Sequence, residues 1–206
     1  FVSVGALVRA AELYAPGTTG SSTLRLYASA FPVGRSMATR YVANETASAP
    51  IVDPQSPPPG GVFDTWTGLA LSPGRYHFIL AIEDSLSGSI GRAEVEVDVP
   101  DLSGPGLSLS TLVLASDLSD TGSRLGVTAR ASGTFLRSES LGVYYEVYGL
   151  PEGETATFEA SYRFHRERPD GSLEALDKPI VVKERSGAAQ GWSVPLSKWP
   201  AGRYRM

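Results

Sequence analysis

Apolar and polar residues alternate with a period of two along most of the chain, and the 3.6-residue period of an amphipathic helix is nearly missing. In RAEVEVDVP at 92–100, Ala93, Val95, Val97 and Val99 alternate with Glu94, Glu96 and Asp98. In FEASYRFHRE at 158–167, Phe158, Ala160, Tyr162 and Phe164 form the row predicted to face inward, with Glu159, Ser161, Arg163 and His165 outward. Both stretches read as antiparallel strands with one solvated face. The same pattern predicts strands at 2–9, 22–31, 36–43, 63–71, 75–84, 107–115, 123–131, 141–149, 173–183 and 190–196. Stretches such as APGTTGSS, SLSGSIG, LPEGE, RPDGS and RSGAAQG separate them and supply the Gly, Pro, Asp and Ser that turns require. The expected fold class is all-β.

Two segments are too rich in proline and glycine to be strands. APIVDPQSPPPGG at 49–61 holds five prolines, which remove ladder donors and favour extended polyproline geometry, so it is expected to run as a surface loop. VPDLSGPG at 99–106 follows one finished strand and precedes a new apolar run. The boundary is expected there: one β-sandwich over 1–100, a linker at 101–106 and a second sandwich over 107–206.

Splitting the chain at that point exposes a repeat. FDTWTGLALSPGRYHF at 63–78 matches AQGWSVPLSKWPAGRYRM at 189–206, pairing Trp66 with Trp192 and Tyr76 with Tyr204. In sandwiches of immunoglobulin or fibronectin type III style, such a turn opens the penultimate strand, and its Tyr buries the ring while the hydroxyl reaches nearby backbone. Trp66 and Trp192 are expected in the two cores. In the first unit the strand continues, turns and returns as RAEVEVDV, whereas the second alignment ends at Met206. The expectation is therefore two tandem immunoglobulin/fibronectin-III-like β-sandwiches, the second C-terminally incomplete, with truncation of the sequence as the first explanation and a donor β-strand filling the open edge as the second.

The stretches LALSPGRYHFILAIEDSLSGSIGRAEVEVDVPDLSGPGLSLSTLVLAS (69–116) and LGVYYEVYGL (141–150) carry a family resemblance. Together they resemble the tandem β-sandwich region of bacterial proteins related to the von Willebrand factor A type and of GWxTD-domain proteins from acidobacteria-like lineages. The resemblance covers 63–150 well and the rest loosely. It implies fold and context: a β-sandwich tandem beside other domains of a larger bacterial protein. Neither the Asp-x-Ser-x-Ser adhesion motif nor the Gly-Trp-x-Thr-Asp signature is present, so no activity of those companion domains transfers to this chain.

Composition narrows the chemistry. A net charge of −4 with no basic stripe argues against nucleic acid as a partner. No apolar run approaches the ~20 residues that span a bilayer as a helix, so membrane insertion is not expected. Cysteine is absent, which removes disulfides and thiolate metal sites. His77 and His165 are the only histidines and fall in different units; no G-x-S-x-G or H-E-x-x-H motif occurs. Asp117 with Asp120, and Glu83 with Asp84, are oxygen-ligand pairs without the spacing of a calcium loop. Asn44 begins a glycosylation triplet that carries little weight in a bacterial chain. No catalytic residue, metal ligand or cofactor is assigned.

The aromatic residues remain. In VYYEVYGL, Tyr144, Glu146 and Tyr148 share one strand face and Tyr145 and Val147 the other, so burial of the second pair would present Tyr144 and Tyr148 together. With Trp199 they are the candidate contacts for a ligand or partner, although cross-strand packing explains them equally. The leading expectation is a non-catalytic structural or interaction module of a larger, extracytoplasmic bacterial protein, whose partners are neighbouring protein domains or a donor strand. The alternative is a carbohydrate- or peptide-binding module using exposed aromatics, or a strand-exchanging assembly subunit.

Overall fold

A computed structural model describes residues 2–9, 22–34, 41–49, 62–85, 87–120, 125–151, 157–176, 178–185 and 188–206. Among the described residues the regular elements are all strands, paired antiparallel in several sheets, and no helix forms. The chain is all-β. It divides into two compact units: Phe1–Asp101 with Leu114–Ser116 and Thr128–Phe135, and Leu102–Val113 with Asp117–Val127 and Leu136–Met206. The divide after Asp101 falls in the Pro/Gly-rich stretch, but two short later segments group with the first unit. One of them is held by Asp64, whose carboxylate accepts the Ser132 N–H at 2.7 Å and its hydroxyl at 3.1 Å.

In the first unit a four-stranded sheet runs β3 (Tyr41–Ala49), β2 (Ser22–Pro32), β5 (Gly74–Asp84), β6 (Ile90–Val99). Its inner face is set by register. Ala30 of β2 lies opposite Phe78 of β5 and Ala28 opposite Leu80, so small residues on one strand make room for large ones on the next, while Leu26 meets Ile82. A second sheet pairs β1 (Val2–Arg9) with β4 (Val62–Leu69) and lays β4 against β2 and β3. Ala28, Ala30, Leu69, Tyr76 and Phe78 form the core, flanked by Leu71, Leu80, Val97 and Val99.

Two expectations change here. Along β4 the buried row is Thr65, Thr67 and Leu69, which leaves Trp66 half-buried on the opposite face rather than in the core. Threonine suits a crowded strand interior, but Thr65 Oγ1 is buried with no hydrogen-bond partner among the described residues. Along β6 the apolar row splits: Val97 and Val99 reach the core, whereas Val95 is 49% exposed. The covered part is the end of β6 paired with Tyr76 and Gly74, where Val97 and Val99 join the core cluster.

The β5–β6 turn, SLSGSIG, is organised by Asp84. Its N–H donates to the Ser89 carbonyl at 2.9 Å, its carbonyl accepts from Gly88 N at 2.8 Å and its carboxylate from the Ser87 hydroxyl at 2.6 Å. Asp84 is buried, and its polar groups are satisfied within the hairpin it closes.

The second unit centres on β10 (Ser140–Tyr148), which pairs with β15 (Ala189–Pro195) and, at its end, with β7 (Ser108–Leu109). The same sheet includes β8 (Val113–Asp120) and β9 (Leu125–Ala129), of which Leu114–Ser116 and Thr128–Ala129 group with the first unit. Smaller sheets join β11 (Phe158–Tyr162) to β14 (Ile180–Arg185), and place β12 (His165–Glu167) between β13 (Leu173–Ala175) and β16 (Tyr204–Arg205). Three predicted strands are interrupted. The 107–115 run breaks into β7 and β8, and 158–167 breaks at Arg163–Phe164, where the partner changes from β14 to β12's neighbours. The 173–183 run breaks before β14 at Pro179, which has no N–H for a ladder. At the end of β10, Gly149 has φ +75°, and a Cβ there would collide with the Gly106 carbonyl, so both conformation and space require glycine.

Candidate functional site

The two Pro-Gly-Arg-Tyr-like turns fold alike at short range. Tyr76 donates its hydroxyl to the Ser72 carbonyl at 2.9 Å, and Tyr204 donates to the Pro200 carbonyl, each four residues back along the chain. The ring caps the turn while the hydroxyl satisfies a carbonyl that a tight turn leaves unpaired. Tyr76 packs edge-on against Phe78 at 6.4 Å between ring centroids; Tyr204 packs against Trp199 at 5.1 Å.

Trp199 is thereby drawn into a chain of rings. It meets Phe164 edge-on at 4.9 Å, Phe164 lies 6.1 Å from Trp192, and Trp192 stacks on Tyr162 at 4.7 Å with planes 15° apart. Tyr162 then meets Tyr145 edge-on, with their hydroxyls 2.9 Å apart. Trp192 stands opposite Val143 and Gln190 opposite Tyr145, so this aromatic chain grows from the buried face of β10. Val143, Tyr145 and Val147 are its buried row.

Tyr144, Glu146 and Tyr148 occupy the other face and are half-buried. The structure brings these three together and leaves Trp199 on the opposite side of the strand. Tyr144 donates to Glu146 Oε1 at 2.7 Å and Tyr148 donates to Oε2, so one carboxylate is held between two phenols. The Glu146 backbone is fixed as well: its N–H donates to Ser110 Oγ and its carbonyl accepts from Ser110 N–H, both at 2.9 Å. Opposite Tyr144 stands Gly191, where a Cβ would come within 2.6 Å of Leu125 and 3.5 Å of Leu118. Those leucines occupy the space beside Gly191 that a side chain there would need.

The electrostatics follow from this clamp. Burial raises the Tyr144 phenol well above its ordinary range, and the hydrogen bond to Glu146 raises it further. For Tyr148 the bond to Glu146 leads and burial adds, pushing the phenol up to about 12. Burial works against ionisation of Glu146, but the bonds from Tyr148 and Tyr144 outweigh it and hold the carboxyl below the usual range. The assembly keeps a carboxylate charged and two phenols neutral. Sequence inspection places the three residues on one face; that Glu146 is the acceptor joining the two hydroxyls emerges only from the geometry.

The other polar candidates are dispersed. Glu83 accepts the Tyr27 hydroxyl at 2.9 Å on the outer face of β5, while neighbouring Asp84 turns into the hairpin. His77 Nε2 lies 2.9 Å from Glu94 on that same outer face, and His165 sits in β12. Asp117 and Asp120 are exposed on β8. Among the described residues no group of three or more His, Cys, Asp or Glu side chains is placed to share a metal ion. Asn44 lies in β3, whose side chains fall outside the described residues, as does the stretch 50–61.

No protein-family model matches the chain, and no curated protein matches it in sequence.

Proposed function

We propose that the chain is a non-catalytic structural and docking module, a tandem of immunoglobulin-like β units within a larger bacterial, extracytoplasmic protein, and that its partners are polypeptides. The observation that supports this reading most is the internal use of its aromatic chemistry. The hydroxyls of Tyr144 and Tyr148 both bond Glu146, Tyr145 and Tyr162 bond each other, Tyr76 and Tyr204 bond backbone, and Trp199 is wedged between Phe164 and Tyr204. A sugar platform requires ring faces open to solvent with polar groups free to meet hydroxyls, and these groups already have partners.

Titration of the chain with soluble oligosaccharides, followed by intrinsic Tyr/Trp fluorescence, tests the reading. It expects no saturable change. A saturable change that disappears in Tyr148→Phe would replace the docking reading with the sugar-binding one.

A further inference from the structure

The free edge of β6 has the composition of a docking strand. β6 pairs with β5 in an unbroken register from Ile90 opposite Glu83 to Val99 opposite Gly74, with no proline and no bulge. On its other side no described strand pairs with it, and nearly all of its residues are exposed. Such an edge presents a row of N–H and C=O groups to any strand that can lie beside it. Beneath the edge the inner row is partly uncovered: Ala93 is exposed and Val95 is 49% exposed.

Charge selects the occupant. The outer row of β6, read backwards, is Asp98, Glu96, Glu94 and then Arg92. The cations that neutralise part of it lie behind, on β5: Arg75 pairs with Glu96 at 2.7 Å and reaches Asp98 at 4.0 Å, and His77 meets Glu94 at 2.9 Å. Arg92 also pairs with Glu94, at 2.5 Å. The Asp98 side chain is 83% exposed. A strand laid beside β6 therefore meets three carboxylates followed by one guanidinium. A second copy of β6 is the poorer match. Its face-matched antiparallel registers bring Arg92 opposite Glu96 or Asp98 but also set Glu94 against Glu94 or Glu96 of the copy, and an in-register parallel pairing sets every charge against its like, whereas a segment with a cation at each of the three acidic positions meets no like charge.

We propose that the β6 edge is a docking site for an extended polypeptide segment alternating basic and apolar residues. The segment adds antiparallel to β6, with its basic side chains over Asp98, Glu96 and Glu94 and its apolar side chains continuing the Val97–Val95–Ala93 row. This rests on the reading of the chain as a polypeptide-docking module and specifies where docking occurs and by what chemistry.

The test uses the full 206-residue chain. A fluorescein-labelled peptide Lys-Val-Lys-Val-Lys-Val-Glu is titrated by anisotropy, and amide exchange is followed by mass spectrometry. The expected result is saturable binding that weakens with salt and slows exchange across 90–99. The double variant Glu96→Lys with Asp98→Lys gives up the surface ion pairs with Arg75, and its folding is checked by far-UV circular dichroism beside the unaltered chain. It should bind this peptide about tenfold more weakly and gain affinity for the charge-reversed peptide Glu-Val-Glu-Val-Glu-Val-Lys. Equal affinity of the variant, protection on a different strand, or concentration-dependent protection of 90–99 without peptide would each overturn the proposal. The last outcome would identify a second copy as the occupant. If neither peptide binds, the edge assignment falls, whereas the docking reading is judged separately by the oligosaccharide titration.

Discussion

Tyr76 and Tyr204 share a local sequence and a hydroxyl bond to the carbonyl four residues back, yet they differ in burial. Tyr76 is 4% exposed; Tyr204 is half-buried. Around Tyr76, β5 is flanked by β2 and β6, and Phe78, Ala30 and Leu69 close over the ring. Tyr204 stands in a strand of two residues paired to β12, with Trp199 as its ring neighbour. The Trp partners, both half-buried rather than enclosed in a core, diverge in contacts: Trp66 faces away from the buried row of its strand while Trp192 stacks on Tyr162. A short motif thus determines a turn and one hydrogen bond. Burial comes from the strands that happen to flank it.

Truncating each ring would break the comparison most sharply. Tyr76→Ala should cost about 3–5 kcal/mol of unfolding free energy, as for other buried aromatics. Tyr204→Ala should cost roughly 1–2 kcal/mol, the ordinary range for a half-exposed site. Urea unfolding with fluorescence detection reads both, and equal losses would remove the distinction between the two sites. Removing only the hydroxyl should sharpen it: Tyr76→Phe and Tyr204→Phe should each lose about 1 kcal/mol, since each gives up one similar hydrogen bond. Thr65→Val, which deletes a buried hydroxyl without a partner while keeping the shape, should stabilise the first unit by about 1 kcal/mol in the same assay.

The strands were largely legible in the sequence because a half-buried strand must alternate, and the alternation at 92–100 and 158–167 survives as real faces. What was not legible depends on the layers above and below. RAEVEVDV reads as a strand with a covered inner row, but only Val97 and Val99 pack against the core while Val95 is left exposed, and alternation within one strand does not say which stretch of it a neighbouring layer covers. Trp66 looks like a core residue by type; its face is decided by the parity of β4, in which Thr65 and Thr67 take the inside. The shared face of Tyr144, Glu146 and Tyr148 follows from period two. Their hydrogen bonds do not, because they depend on the side-chain rotamers that bring both phenols to one carboxylate.

The clamp on Glu146 has a pH signature at both ends. The Glu146 pKa is lowered in the fold, so its contribution to stability is complete above the unfolded glutamate value and is lost as pH falls through the folded value. The Tyr148 and Tyr144 pKa values are raised, so their contribution is complete below the unfolded value of ~10 and is lost as pH rises through the folded values. Glu146→Gln should flatten the acid limb of the stability profile and bring both phenols back toward ordinary titration.

The central claim, that these tyrosines serve the fold rather than a ligand, is tested most directly by residue-resolved NMR titration of ring-labelled tyrosines. The account predicts that Tyr144 and Tyr148 remain neutral well past pH ~10, where an exposed phenol is half ionised, with Tyr148 titrating at about 12, and that oligosaccharide leaves both signals in place. Ordinary titration of both rings near pH 10, together with shifts on adding oligosaccharide, would contradict it.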